Sequence, residues 1–132
     1  MNIPLSQVES EAQKIAKQIR GGEIIALIGE LGAGKTTFTK ALGKALGVKQ
    51  QIPSPTFVMM QEFEISPKHP NTKKLFLYHL DLYRTKNFKE VESLGITEWW
   101  GQPETVTVIE WADKILEHLP KKSTIIYLHR DV

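Results

Sequence analysis

The chain has 132 residues, 41% hydrophobic and 24% charged, with a formal net charge of +2. That is the size and balance of one ordinary globular domain spanning 1–132, too weakly basic to argue for nucleic-acid binding on charge alone. The absence of cysteine excludes a disulfide scaffold and a thiolate metal site.

Met1-Asn2-Ile3-Pro4-Leu5 has no basic region followed by an apolar run, so no secretory signal is expected. No apolar stretch approaches membrane-spanning length, and the expected compartment is the cytoplasm. The pairs Lys73-Lys74 and Lys121-Lys122 read as solvated surface.

In chain order, the first expected element is a helix over Ser6–Ile19. Ser6 and Glu9 have capping-box spacing, and Leu5, Val8, Ala12, Ile15, Ala16 and Ile19 recur on one helical face. Gly21-Gly22 stops it. The run Ile24-Ile25-Ala26-Leu27-Ile28 reads as a strand buried on both faces. Thr36–Leu46 reads as a helix stopped by Gly47. Phe57–Ile65 places Phe57, Met59, Phe63 and Ile65 on one face at period two, and Leu75–Tyr83 is a second extended segment. Ser66–Lys74 between them, with two prolines, reads as a hairpin loop. A short helix over Lys89–Leu94, a buried strand over Val106–Ile109, a helix over Trp111–Leu119 and a strand over Thr124–His129 complete the pattern. Helices alternating with apolar strands predict an α/β fold.

The strongest motif is Gly29-Glu30-Leu31-Gly32-Ala33-Gly34-Lys35-Thr36, which fits G-x-x-x-x-G-K-[ST] at every fixed position. Glycines let the backbone curl so that successive N–H groups point at phosphate oxygens. Lys35 places a mobile positive charge on the β- and γ-phosphates, and the Thr36 hydroxyl suits Mg²⁺. The helix that follows, with Thr37 in its first turn, offers N–H groups and a positive dipole end. The motif follows an expected buried strand and opens an expected helix, as its mechanism requires. The Asn-Lys-x-Asp pattern that reads guanine is absent, which favours ATP with Mg²⁺ as the ligand.

Mg²⁺ also needs an acidic partner. Glu110 directly follows Val106-Thr107-Val108-Ile109, the place of a Walker B acid beyond the carboxyl end of a strand. It suits holding Mg²⁺ through water or orienting the attacking water. Asp81 ends Tyr78-His79-Leu80-Asp81 and is a second candidate, with capping of the following turn as its plain structural role. The sequence leaves open which of the two orients water. His79 shares a strand face with Asp81, but a lone histidine reads more readily as packing or surface. Trp111, just after Glu110, is a candidate either for the core or for lining the nucleotide site, and its own chemistry favours core.

Four blocks appear in order: Gly-Glu-Leu-Gly-Ala-Gly-Lys-Thr-Thr-Phe at 29–38, Ser-Pro-Thr-Phe at 54–57, Tyr-His-Leu-Asp-Leu-Tyr-Arg at 78–84 and Val-Ile-Glu-Trp-Ala at 108–112. Together they resemble the TsaE family of bacterial ATPases, formerly YjeE, from about Ser6 to the last residue. The resemblance implies a single-domain, three-layer P-loop fold with a central mixed sheet. It also implies a part in making the threonylcarbamoyl modification of adenosine next to the tRNA anticodon. In that family the protein joins TsaD and TsaB, so this chain is expected to reach tRNA only through that complex and to be a monomer or weak oligomer alone. By position, Lys35 would hold phosphate, Thr36 and Glu110 would surround Mg²⁺, and Asp81 would lie at the nucleotide. Ser54–Phe57 would be a switch-like segment near the γ-phosphate, and Trp111 matches the family's tryptophan beside the catalytic acid. Two departures stand out: Ser66–Lys74 is longer than the family's loop, and Arg130 does not match the arginine by which family members approach the nucleotide.

Two rival readings fit less well. A small-molecule kinase needs a lid with arginines over the transferred phosphoryl group, whereas this chain has only Arg20, Arg84 and Arg130 and no obvious lid insertion. A nucleotide-dependent regulatory switch of the guanine-reading kind lacks its signature.

Overall fold

The computed structural model describes residues 1–30, 32–49, 60–65, 75–93 and 95–130. The expected switch-like segment Ser54–Phe57 and hairpin loop Ser66–Lys74 lie outside the described residues.

The strands are β1 (Asn2–Pro4), β2 (Ile24–Ile28), β3 (Met60–Ile65), β4 (Leu75–Asp81), β5 (Thr105–Glu110) and β6 (Thr124–His129). The α-helices are α1 (Val8–Gln18), α2 (Lys35–Leu46) and α3 (Phe88–Ser93), and single turns of 3₁₀ helix run over Leu5–Gln7 and Ile96–Trp99, with a longer one over Ala112–His118. The described strands form one mixed sheet in the order β1-β6-β2-β5-β4-β3. Only the β3–β4 pair is antiparallel; the rest run parallel. The α/β class and the mixed central sheet expected from the sequence are therefore present.

Strand alternation divides the core in two. Ile25 and Leu27 of β2, Leu77 of β4, Val106 and Val108 of β5 and Ile126 and Leu128 of β6 pack against Val8, Ala12, Phe38 and Leu42 of α1 and α2. Ile24, Ala26, Leu80 and Ile109 face the other way, onto Val91 of α3 and onto Ala112 and Ile115. These are the three layers. β2 is buried on both faces because parallel neighbours flank it and helices cover it, which is why it reads as an unbroken apolar run. Truncating a side chain such as Leu27, fully buried there, costs about 2–5 kcal/mol.

Three local expectations need correcting. The first α-helix does not begin at Ser6. The chain leaves β1 through a 3₁₀ turn, the α-helix starts at Val8, and its N-cap, Gln7, makes no side-chain cap bond. β1 itself was missed because three residues are too few to show a period. Its Pro4 is tolerated at a sheet edge, where no ladder N–H is required. The expected helix over Trp111–Leu119 is 3₁₀ and kinked at Ile115 (φ −133°, ψ 22°). Ala112 and Ile115 are its buried residues, and their spacing of three suits the 3₁₀ repeat.

Because β2, β5 and β4 run parallel, their carboxyl ends open on the same edge of the sheet. That edge carries the loop after Ile28, Glu110 and Asp81.

Candidate nucleotide-binding site

From Ile28 the chain turns back tightly before entering α2 at Lys35, and the Ala33 N–H donates to the Glu30 carbonyl at 3.0 Å. Gly34 sits at φ +107°, and a β-carbon there would lie 2.9 Å from Leu5 Cδ1 and 3.2 Å from Val8 Cγ2. The residues leading into α1 thus press the loop from below, and Ala33 is buried beside it. Gly32 sits at φ +81°, where a β-carbon would collide with the Arg130 guanidinium. Arg130, left without a role in the sequence, therefore lies against the loop. Thr37 is exposed in the first turn of α2.

Lys35 is 6% exposed. Its Nζ donates to the Gly29 carbonyl and, at 2.8 Å, to the Glu30 carbonyl. The same Nζ stands 3.9 Å from the centre of the Trp111 ring. Burial lowers the Lys35 pKa, while the nearby carboxylates Glu110, Asp113, Asp81 and Glu30 oppose that shift. Asp113 and Glu30 were not singled out from the sequence.

Glu110 is the last residue of β5, and its register partner on the adjacent parallel strand is Asp81. Registered residues on neighbouring strands point to the same face, and here that is the face of α2 and the loop. Glu110 is 3% exposed. The Thr36 hydroxyl donates to Glu110 Oε1 at 3.3 Å, and His79 Nε2 bonds to Glu110 Oε2. His79, 1% exposed on β4, is thus a buried partner of the acid, where its residue type alone suggested packing. The clue available in the sequence was its period-two relation to Asp81.

Asp81 Oδ1 accepts from the Tyr83 N–H at 3.0 Å, so it does cap the turn after β4. Burial raises its pKa; the Tyr83 N–H opposes this, Glu110 adds to it, and His79 and Arg84 work against it. Capping and a place beside Glu110 therefore coexist in one side chain.

Trp111 both packs against the second core cluster and reaches the loop. It is half-buried and adopts φ +60°, ψ 38°, a left-handed conformation that is strained for a bulky side chain. That turn carries its ring back over Lys35 and against Tyr83, whose ring centre is 5.0 Å away at an interplanar angle of 50°. Lys114 Nζ donates to the carbonyls of Tyr83 and Thr85, the latter at 3.0 Å, tying the turn after β4 to the segment after β5. No sequence signal pointed to Lys114.

The donor set suits a hard divalent cation bound with phosphate. Thr36 Oγ1 and Glu110 Oε1 converge, and both are oxygen ligands. Among the described residues no cluster of three or more His, Asp or Glu forms a cage that could hold a metal by itself.

The family described as "Threonylcarbamoyl adenosine biosynthesis protein TsaE" matches over residues 4–132. The tRNA threonylcarbamoyladenosine biosynthesis protein TsaE of Bacillus subtilis is 36% identical over 124 residues, covering 94% of this chain and 72% of its own length. The protein of the same name from Aquifex aeolicus is 42% identical over 105 residues, covering 78% of this chain and 68% of its own. The crystal structure of Bacillus subtilis YdiB superposes with a TM-score of 0.56 at 31% identity, covering 90% of this chain and 67% of that one.

Proposed function

The chain belongs to the TsaE family of threonylcarbamoyl adenosine biosynthesis proteins, and on that footing we propose that it is the ATP-binding and ATP-hydrolysing component of the machinery that makes threonylcarbamoyladenosine in tRNA. In this reading it works in the cytoplasm with TsaD and TsaB, and ATP hydrolysis supports their repeated turnover. It meets tRNA through that complex, consistent with a net charge of only +2.

The observation that carries the nucleotide reading is the meeting of Thr36 and Glu110 beside the buried ammonium of Lys35. Lys35 Nζ now donates to two loop carbonyls, and the γ- and β-phosphate oxygens are stronger, charged acceptors for the same protons. The loop N–H groups and the first turn of α2 supply further donors. Mg²⁺ held at this site would neutralise charge developing on the phosphate oxygens. The carboxylates Glu110, Asp113, Asp81 and Glu30 within electrostatic reach of Lys35 support a reading in which a cation accompanies the triphosphate. Thr36 and Glu110 are the residues that would hold the ion. Hydrolysis is water attack on the γ-phosphorus as its bond to the β–γ bridging oxygen breaks, so that ADP leaves and the water's proton passes to the released phosphate, with Glu110 or Asp81 accepting a hydrogen bond from that water and orienting it. Lys35 stays on the phosphate oxygens as negative charge shifts.

The test is steady-state ATP hydrolysis by the purified chain, alone and with TsaD–TsaB. Slow turnover alone and faster turnover in the complex is the expected result. No ATP binding by calorimetry in either mixture would overturn the nucleotide reading. Equal rates in both, with complex formation verified, would overturn activation by the partners.

A further inference from the structure

We propose that His79 is a positioning residue for Glu110, holding one carboxylate oxygen so that the other faces Thr36. This rests on the reading of Glu110 as a residue of the Mg²⁺–nucleotide site.

The terminal torsion of a glutamate is broad and roughly two-fold, so strand geometry alone does not set how its oxygens point. In this site the two oxygens have different partners. Oε2 is bonded to His79 Nε2, and Oε1 lies 3.3 Å from the Thr36 hydroxyl. A carboxylate oxygen accepts, so Nε2–H is the donor. Oε1 keeps lone pairs for a cation or a water beside Thr36.

The scaffold under His79 is rigid. It sits in the interior of β4, registered with Gln61 of β3 on one side and Val108 of β5 on the other. Glu110 and His79 are 3% and 1% exposed, so bulk water has little access to the bond. In such surroundings an unpaired carboxylate is costly and a paired one is well fixed. Asp81, the other neighbour of Glu110, is committed to the Tyr83 N–H and has no proton to donate when ionised. Partners of this outer kind typically change metal affinity or activity 10–100-fold when removed.

The experiment separates positioning from simple satisfaction of a buried group. His79→Gln places an amide N–H at about the reach of Nε2, His79→Asn stops short of it, and His79→Leu fills the space without a donor. ATP binding is followed by calorimetry at graded Mg²⁺, with thermal unfolding of each nucleotide-free variant. His79→Leu should raise the Mg²⁺ concentration for half-maximal ATP binding by about 10–100-fold. His79→Asn should do the same, and His79→Gln should stay near the wild type. In a Glu110→Gln background His79→Leu should add nothing, since it acts through the lost carboxylate. If His79→Leu does not fold, the Asn and Gln variants carry the comparison. An unchanged Mg²⁺ requirement in folded His79→Leu or His79→Asn, while Glu110→Gln raises it, overturns the positioning role and leaves Glu110 in place. Equal losses of unfolding temperature with no change in the Mg²⁺ requirement overturn it likewise. An unchanged requirement in Glu110→Gln removes the underlying reading, and the role of His79 with it.

Discussion

The Thr36 hydroxyl and the Glu110 carboxylate are 74 positions apart in the chain and 3.3 Å apart in space. The sheet explains the meeting. β2 and β5 are adjacent and parallel, with Leu27 registered against Glu110, so the loop leaving β2 enters α2 directly above the end of β5. The same parallel pairing brings Asp81 alongside on β4.

Glu110→Ala should lower hydrolysis far more than ATP binding at saturating Mg²⁺. The side chain is buried at a strand end and faces Thr36, which suits metal or water control in preference to gripping the nucleotide. Loss of a group that stabilises a transition state typically costs about 10²–10³-fold in rate. Single-turnover hydrolysis with TsaD–TsaB, paired with calorimetry, measures both quantities. A wild-type rate would make Glu110 a structural residue.

Lys35→Ala should abolish tight ATP binding. Its Nζ is the ammonium that the loop folds around, through the Gly29 and Glu30 carbonyls. Calorimetry on a variant shown to be folded is the check, and unchanged affinity would mean that ATP binds elsewhere.

Much of this site was legible because its chemistry depends on local spacing. The G-x-x-x-x-G-K-[ST] run and the acid ending an apolar strand each lie within one short segment. What was not legible depends on pairing between segments. His79 became a partner of Glu110 only through the β4–β5 register, and Arg130 reached Gly32 only because β6 lies beside β2. The turn of the Trp111 ring over Lys35 was not legible because it depends on a left-handed backbone, which is unfavourable at a tryptophan and leaves no mark in composition. The missed β1 and the 3₁₀ segment after Trp111 are too short for periodicity to separate from a turn or an α-helix.

Gly34→Ala should destabilise the fold and also impair ATP binding. The new methyl group meets Leu5 Cδ1 and Val8 Cγ2 in a left-handed conformation, φ +107°. Backbone strain of that kind costs about 1–3 kcal/mol, and repacking of Leu5 and Val8 adds to it. Denaturant unfolding reads the loss. A variant as stable as the wild type would show that the packing under the loop gives way easily.

Trp111 should report the loop's occupancy. ATP would offer Lys35 charged acceptors and draw its ammonium from the Trp111 ring, whose centre stands 3.9 Å from Nζ. Tryptophan emission should therefore change on ATP addition, and the change should vanish in Trp111→Phe while Trp99 and Trp100 remain. An undiminished change in Trp111→Phe would place the reporter elsewhere.

Asp81→Asn should stabilise the nucleotide-free chain at neutral pH, although it slows turnover if Asp81 orients the attacking water. Burial raises the Asp81 pKa above its ordinary value, with the neighbouring Glu110 adding to the shift and the Tyr83 N–H opposing it. A raised carboxyl pKa means that between the unfolded value, about 3.9, and the folded one, the folded chain holds more protons than the unfolded chain. Stability then falls as pH rises through that window. The contribution of Asp81 is greatest below about pH 4, and the penalty for its charge is complete above the raised value. Asparagine removes the charge and keeps an Oδ1 acceptor for the Tyr83 N–H, so the turn cap survives. Thermal unfolding of both proteins without nucleotide, from about pH 4 to about pH 7, is the measurement. Asp81→Asn should melt higher at the neutral end, and the gap should close as pH falls. A gap of the opposite sign at neutral pH would show that attraction to Arg84 and His79 outweighs desolvation. A gain in stability together with a loss of turnover would mark Asp81 as a charge kept for function at the fold's expense.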